Sequence, residues 1–337
     1  MKQKIVALCA FLTITTALFA APTPRLRIIA TTFPLYDWTR QILGQQLASM
    51  ELVQLQDNGV DLHNFQPTVK DIARISQCDL FLFVGGESDE WVEKTLRTQR
   101  NPRRIALNLI KELGNSVLEE EHMDEGKEHE RHKDGEHEHH KDGEDEHHHK
   151  SGEHDEHEAD EHIWLSLRCA ASLCEVIAAR LSALDPEHAT EYQANARIYI
   201  AKLQELDRRY KAVVDNAPLK TLVFADRFPF RYMAKDYGLT CHAAFSGCSA
   251  ETEASFKTIA FLAKKVNEQK LPAVIVLEGR RHKIAESVTR ASKRKDVKIL
   301  MMNSLQSSTS KEAASGKGYL DTMEKNLEVL KRALGSK

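Results

Sequence analysis

Seven apolar residues recur at alternating spacings of four and three: Tyr192, Ala196, Tyr199, Leu203, Leu206, Tyr210 and Val213. That period paints a single stripe on an α-helix. Asp185 makes a good N-cap and Pro186 a good first helical residue, while Asn216 and Pro218 close the segment. About 31 residues at a rise of about 1.5 Å give a rod about 46 Å long, longer than one small domain. The 337 residues have length for about two domains. Such a stripe is satisfied either by a coiled-coil partner or by two lobes packed along one scaffold helix. The second reading is preferred, because strand patterns resume directly after Pro218.

Short β-rich runs alternate with helical stretches on both sides of this rod. Strands are expected at 26–31, 52–55, 80–84 and 105–109, and again at 221–225, 240–244, 273–277 and 298–302. Helices are expected at 33–45, 68–76 and 163–184, and then at 230–237, 251–267, 283–292 and 319–334. Apolar strands followed by helices call for parallel sheets covered on both faces. The expected fold is α/β, two lobes with parallel sheets flanked by helices, bridged by one long α-helix. The expected division is 22–184 for the first lobe, 185–217 for the bridging helix and 218–337 for the second lobe. Ligands of such open sheets sit at the carboxyl ends of strands, which places a site in the cleft between the lobes.

The net charge of −3 conceals a division. Residues 119–161 hold 20 acidic and 5 basic side chains, a net of −15, and leave the rest of the chain at +12. This insert also carries most of the histidines, and His-Lys-Asp-Gly-Glu recurs in it at His132 and His140. It has almost no apolar residues, so residues 119–158 cannot bury a core and are expected to be disordered. Its accessory metal donors are His129, His132, His137, His139, His140, His147, His148, His149, His154 and His157, interleaved with carboxylates. Flexible donors make weak, exchangeable sites, because each binding event must order chain.

Lys2 and Lys4 precede a nearly unbroken apolar run to Ala20, with small residues at Ala20 and Ala21. Residues 1–21 therefore read as a signal peptide, and the protein as exported and periplasmic or extracytoplasmic. A retained N-terminal anchor is the alternative. Cys78, Cys169, Cys174, Cys241 and Cys248 follow the leader, with no CxxC pair. Cys241 and Cys248 are close enough to be a disulfide candidate; buried apolar thiols are the competing reading. GxxxxGK[ST], GxSxG and HExxH are absent, as is GxGxxG after the first strand, so no enzyme chemistry is indicated. No basic stripe with interleaved aromatics points to nucleic acid.

Outside the insert and its edge, only His63, His188, His242 and His282 remain. His63 lies in a loop after a strand, His162 at the far edge of the insert leading into a helix, and His282 just after the strand 273–277. Imidazoles at strand-end loops of both lobes are how a cleft metal site would be built. Imidazole suits zinc, copper, iron and nickel, while added carboxylates shift preference toward manganese.

Five segments occur in order: 59–68 (GVDLHNFQPT), 84–91 (VGGESDEW), 160–165 (DEHIWL), 224–232 (FADRFPFRY) and 246–255 (SGCSAETEAS). Together they resemble the solute-binding protein of a zinc or manganese ABC importer, and an acidic, His-rich insert before the third segment is typical of its zinc branch. The resemblance implies two α/β lobes on a rigid long helix with metal held between them. It implies His63 and His162 as the first two ligands. The third position, His in the zinc branch and Glu in the manganese branch, falls on Ala225, which cannot coordinate. Asp226 beside it is a substitute, and the fourth ligand position, after the strand ending at Leu277, aligns on His282, with Glu278 as an outside candidate. The implied set is therefore His63, His162 and His282, completed by Asp226 or water. It favours Zn2+ over Mn2+ or Ni2+ as bound substrate, with no organic cofactor. The implied partners are an ABC permease and its ATPase subunit, with a monomeric binding protein touching the membrane through the permease or an N-terminal anchor. The competing functions are a metal buffer or storage protein working through the His-rich loop, and an exported adhesin of the same family.

Overall fold

Ile28, Ile29 and Ala30 are all buried, so the strand they form meets apolar neighbours on both faces. A strand of this kind belongs in the middle of a parallel sheet. The computed structural model describes residues 26–98, 100–119, 159–245, 254–279 and 282–336. The chain runs β1 (Arg27–Ala30), α1 (Phe33–Leu43), β2 (Glu51–Gln54), α2 (Val69–Gln77), β3 (Leu80–Phe83), α3 (Glu90–Leu96), β4 (Ile105–Asn108) and α4 (Leu109–Leu113). It continues with α5 (Leu167–Leu184), α6 (Ala189–Asn216), β5 (Thr221–Phe224), α7 (Arg231–Tyr237), β6 (Thr240–Ala243) and α8 (Phe256–Glu268). It ends with β7 (Ala273–Val276), α9 (Lys283–Ala291), β8 (Lys298–Met301), α10 (Ser310–Ala314) and α11 (Tyr319–Ala333).

Among the described residues the strands form two four-stranded sheets, ordered β2-β1-β3-β4 and β6-β5-β7-β8. All pairings are parallel, with Ile28 beside Leu52 and Leu80, and Val276 beside Met301. The order reverses at the β1/β3 boundary in the first sheet and at the β5/β7 boundary in the second. Crevices open at the carboxyl ends of strands at such points. The expected α/β fold, with its two parallel sheets and long helix, is the fold observed.

Some elements differ from expectation. The expected helix 163–184 begins as a three-ten turn, Ile163–Leu165, because Ser166 is extended and its Oγ accepts from the Cys169 N–H at 3.0 Å to cap α5. Asp185 does not cap with its side chain. Its Oδ2 faces His188 Nδ1 at 2.8 Å and accepts from Tyr192 Oη at 2.6 Å, and a three-ten turn, Pro186–His188, leads into α6. At its far end Val214 is buried where Val213 was expected. At about 3.6 residues per turn, Val214 lies about 40° from the Tyr192–Tyr210 line and Val213 about 60°. Helices α3, α4 and α10 were not foreseen; each has seven residues or fewer, too short to show a period.

One apolar cluster runs unbroken through both sheets. It links Leu80 and Leu82 through Trp38 and Leu173 to Tyr199, Leu203 and Tyr210, and continues to Phe224, Ile275 and Leu330. The stripe of α6 is therefore consumed within the chain, packed on α5, α1 and α11, and the coiled-coil reading falls. Two smaller clusters cover the outer faces, around Phe81 with Ile75 and around Val274 with Leu262. Cys78, Cys169 and Cys174 are buried thiols, as the apolar reading expected. Cys248, the proposed partner of Cys241, lies outside the described residues, as do the leader and residues 120–158. The ends flanking the insert meet: Glu119 and Ala159 form an antiparallel bridge, and the Asp160 N–H donates to the Leu118 carbonyl at 2.8 Å. Among the described residues no helix is long and apolar enough to cross a membrane.

Because Leu203 is fully buried in the shared cluster, Leu203→Ala should cost about 2–5 kcal/mol. Urea unfolding should still show one transition. Separate melting of the two lobes, seen by calorimetry, would contradict a continuous core.

Candidate metal centre

The loop after β2 is shaped by Asp61, whose Oδ1 accepts from the His63 N–H at 3.1 Å and so starts a three-ten turn, Leu62–Asn64. Leu62 is buried beneath that turn, and the His63 ring meets that of His162. The loop after β3 turns on Gly86, at φ +82°, where a Cβ would collide with the Glu161 carboxylate. Only glycine lets that carboxylate approach. Glu161 Oε1 accepts from the Ser88 N–H at 2.6 Å, and Ser88 Oγ lies 2.9 Å from His63 Nδ1. Glu161 Oε2 stands 3.7 Å from the same ring nitrogen.

His162 arrives from the other side, directly where the insert returns. Asp160 Oδ1 accepts from the His162 N–H at 2.9 Å and faces its Nδ1 at 3.0 Å, while Arg231 Nε donates to Asp160 Oδ2 at 3.2 Å. Burial opposes the charge on Asp160, but His162 and Arg231 outweigh it and hold the carboxyl below its ordinary range. An ionised Asp160 accepts only, so it takes a proton from His162 Nδ1, and in the neutral ring that tautomer leaves the lone pair on Nε2. Ser88 Oγ can accept from His63 Nδ1, which would give His63 the same tautomer. The two Nε2 atoms face each other 3.4 Å apart, with ring centroids 5.4 Å apart. Two nitrogens each about 2.05 Å from a tetrahedral zinc stand about 3.4 Å apart.

Gln306, in the loop after β8, brings its amide Nε2 to 2.5 Å from His162 Nε2. Its donation there requires the same lone pair, and a turn of the amide would present its oxygen instead. Gln306 was missed from sequence because it belongs to no quoted segment. The available signal was its place just past a strand's carboxyl end. Ser88 and Glu161 stood inside quoted segments but were not singled out.

The remaining sequence-derived residues are placed differently. Asp226 Oδ2 accepts from the Leu277 N–H at 3.2 Å and its Oδ1 from the Arg227 N–H at 2.9 Å. Glu278 binds Ser304 with both oxygens, accepting from its N–H and Oγ at 2.7 Å each. Burial raises the Glu278 carboxyl above its ordinary range. His282 precedes α9, with its Nδ1 buried and without a hydrogen-bond partner among the described residues. Ala225 is buried at the end of β5. Among the described residues no three His, Cys, Asp or Glu side chains gather closely enough to hold a metal ion. The insert histidines lie outside the described residues.

Two α/β lobes on a shared helical spine, with a site at the seam between them, define a solute-binding protein. The chain belongs to the family of the periplasmic component A of zinc-uptake complexes (ZnuA), whose pattern matches residues 28–333. It is 30% identical over 313 residues to the zinc-binding protein AdcA of Streptococcus pyogenes serotype M3, covering 91% of this chain and 56% of that relative. The chain thus spans little more than half the length of AdcA. It is 29% identical to the high-affinity zinc uptake system protein ZnuA of Bacillus subtilis, covering 92% of this chain and 88% of that one. The crystal structure of the Zn(II)-bound ZnuA-like domain of Streptococcus pneumoniae AdcA superposes with a TM-score of 0.67 at 27% identity, covering 92% of this chain and 99% of that one. The family is one of transport components, not of enzymes.

Beside the site, burial pushes the Asp89 carboxyl up to about 7, although the Gly85 N–H at 3.0 Å pulls the other way. A raised carboxyl binds its proton more tightly in the folded chain. Its stabilising contribution is present below the unfolded value of about 4 and is lost as pH rises through 7. Asp89→Asn should therefore gain stability over the parent as pH rises from about 5 to 8, by about 1 kcal/mol or more. Urea midpoints at the two pH values check this.

Proposed function

We propose that this chain is the extracytoplasmic receptor of a zinc importer, taking Zn2+ between its lobes and delivering it to an ABC permease driven by an ATPase subunit. The observation carrying the reading is the pair of Nε2 atoms 3.4 Å apart, the spacing of tetrahedral zinc ligands, each ring with its Nδ1 facing an oxygen. Neutral imidazoles fixed in this way are prepared zinc ligands. They favour zinc over manganese, which prefers oxygen donors. His63 and His162 are the proposed first two ligands, the Gln306 amide oxygen the third, and water the fourth. A three-histidine set would instead need His282 to move in from the start of α9. The leader directs the protein outside the cytoplasm, and the lobe division read from sequence (22–184, 185–217 and 218–337) is retained as the working description. The acidic insert is proposed to gather zinc for this site. Since residues 119 and 159 bridge, the site would remain when the residues between them are removed.

Titration calorimetry with Zn2+ tests the proposal. His63→Ala and His162→Ala should each abolish the tight single site, by about 100-fold or more, while His282→Ala should stay within about three-fold of the parent. Loss of tight binding in His282→Ala would restore the three-histidine site. Deleting residues 120–158 should remove weak zinc equivalents and keep one tight site. If the deletion removes the tight site, the chain is a loop-based buffer. Affinity should fall as pH drops below about 6.5, where imidazole protonates.

A further inference from the structure

After β8 the chain crosses from the second lobe to the first, and this crossing segment carries Gln306. We propose that Asp57 and Gln54 are positioning residues that hold the segment over the metal and set the rate at which the metal leaves. The proposal rests on the zinc-receptor reading above.

The segment is held in a conformation it would not choose. Leu305, next to Gln306, lies at φ +65° and is fully buried. A side-chain-bearing residue enters this left-handed region only when its surroundings impose it. From the second lobe, Glu278 grips Ser304 through both oxygens. From the first lobe, Gln54 Nε2 donates to the Ser308 carbonyl at 2.8 Å. Asp57 takes the Ser310 N–H on Oδ1 and the Ser310 hydroxyl on Oδ2, both at 2.6 Å. Bonds from an ionised carboxylate to an N–H are among the stronger ones. Thr31, Thr32 and Gln56 are buried close by in sequence, but their side chains make no hydrogen bond among the described residues, so they add no such grip.

Gln54 ends β2, Asp57 lies three residues on, and His63 six residues further. One short stretch of the first lobe therefore carries both a ligand and the grip on the segment facing that ligand. Both Gln306 and His162 are only 4% exposed. On that side a metal between the rings has no exit until the Gln306 segment lifts. Lifting breaks the Asp57 and Gln54 bonds, so their strength enters the barrier to release.

The test loads the full-length chain with one equivalent of Zn2+ and follows release into excess chelator by stopped flow. Zinc held weakly by the His-rich insert leaves first, and the slow phase reports the site between the lobes. Asp57 is exposed, so Asp57→Ala should fold normally. It should speed the slow phase about ten-fold, and Asp57→Asn, which keeps one acceptor, by less. Gln54→Met, similar in volume, should act in the same direction. In a Gln306→Ala background Asp57→Ala should add less than about two-fold, because there is no longer a facing group to position. A wild-type slow phase in Asp57→Ala overturns the proposal. So does an equal acceleration in both backgrounds, which would mean a general loosening. A parent chain with no slow phase at all overturns the zinc-receptor reading itself, and the proposal with it.

Discussion

The packing of α6 into a single apolar cluster shared by both lobes is the constraint on which the rest depends. Leu203 and Tyr210 lie fully buried in a seam that also includes Trp38 of the first lobe and Ile275 of the second. Interiors at native density do not deform gradually, so lobes joined this way cannot swing apart as a hinge would allow. Tyr319 of α11 adds a second tie, donating its hydroxyl to the Trp164 carbonyl at 2.6 Å. Trp164 follows His162 by two residues, so the same tie steadies the turn that presents His162. Movement is left to loops over the crevice, and the proposed metal site is built from such loops.

At the site, charge is arranged to settle a tautomer. Arg231, from the second lobe, meets Asp160, and Asp160 meets His162 Nδ1. The consequence is a lone pair on Nε2. The Arg227–Asp61 pair at 2.7 Å does comparable work for His63 by holding its loop across the seam. Exposed ion pairs of this kind stabilise little, but these are partly buried and set geometry. Glu161 and Asp89 lie close by with carboxyls raised by burial, although hydrogen bonds from Ser88 and Gly85 pull them the other way.

The fold was legible in the sequence because its signals are local and repeated. Eight apolar runs of strand length, each followed by a helical stretch or loop, leave little choice but two parallel sheets. What was missed follows the same rule. The helices α3, α4 and α10 are too short to show a period, and the burial of Val214 in place of Val213 is a rotation that spacing alone does not resolve. His63 and His162 stand out in the sequence by loop position and by the resemblance, and the structure brings their rings together. Gln306 does not stand out, because an isolated glutamine carries no metal-ligand signal until a distance puts it against an imidazole.

By itself the sequence determined the secondary elements, the separation of an acidic insert from a foldable body, and two histidines at strand-end loops. Those features depend on composition and short-range period, which the chain carries wherever it is. The tertiary structure alone decided which residues meet across 99 positions to put two Nε2 atoms 3.4 Å apart. It also engaged Asp226 and Glu278 in hydrogen bonds and set Gln306 against His162. Such pairings depend on how the lobes pack along α6, and burial and packing are sums over the whole chain that no short segment contains.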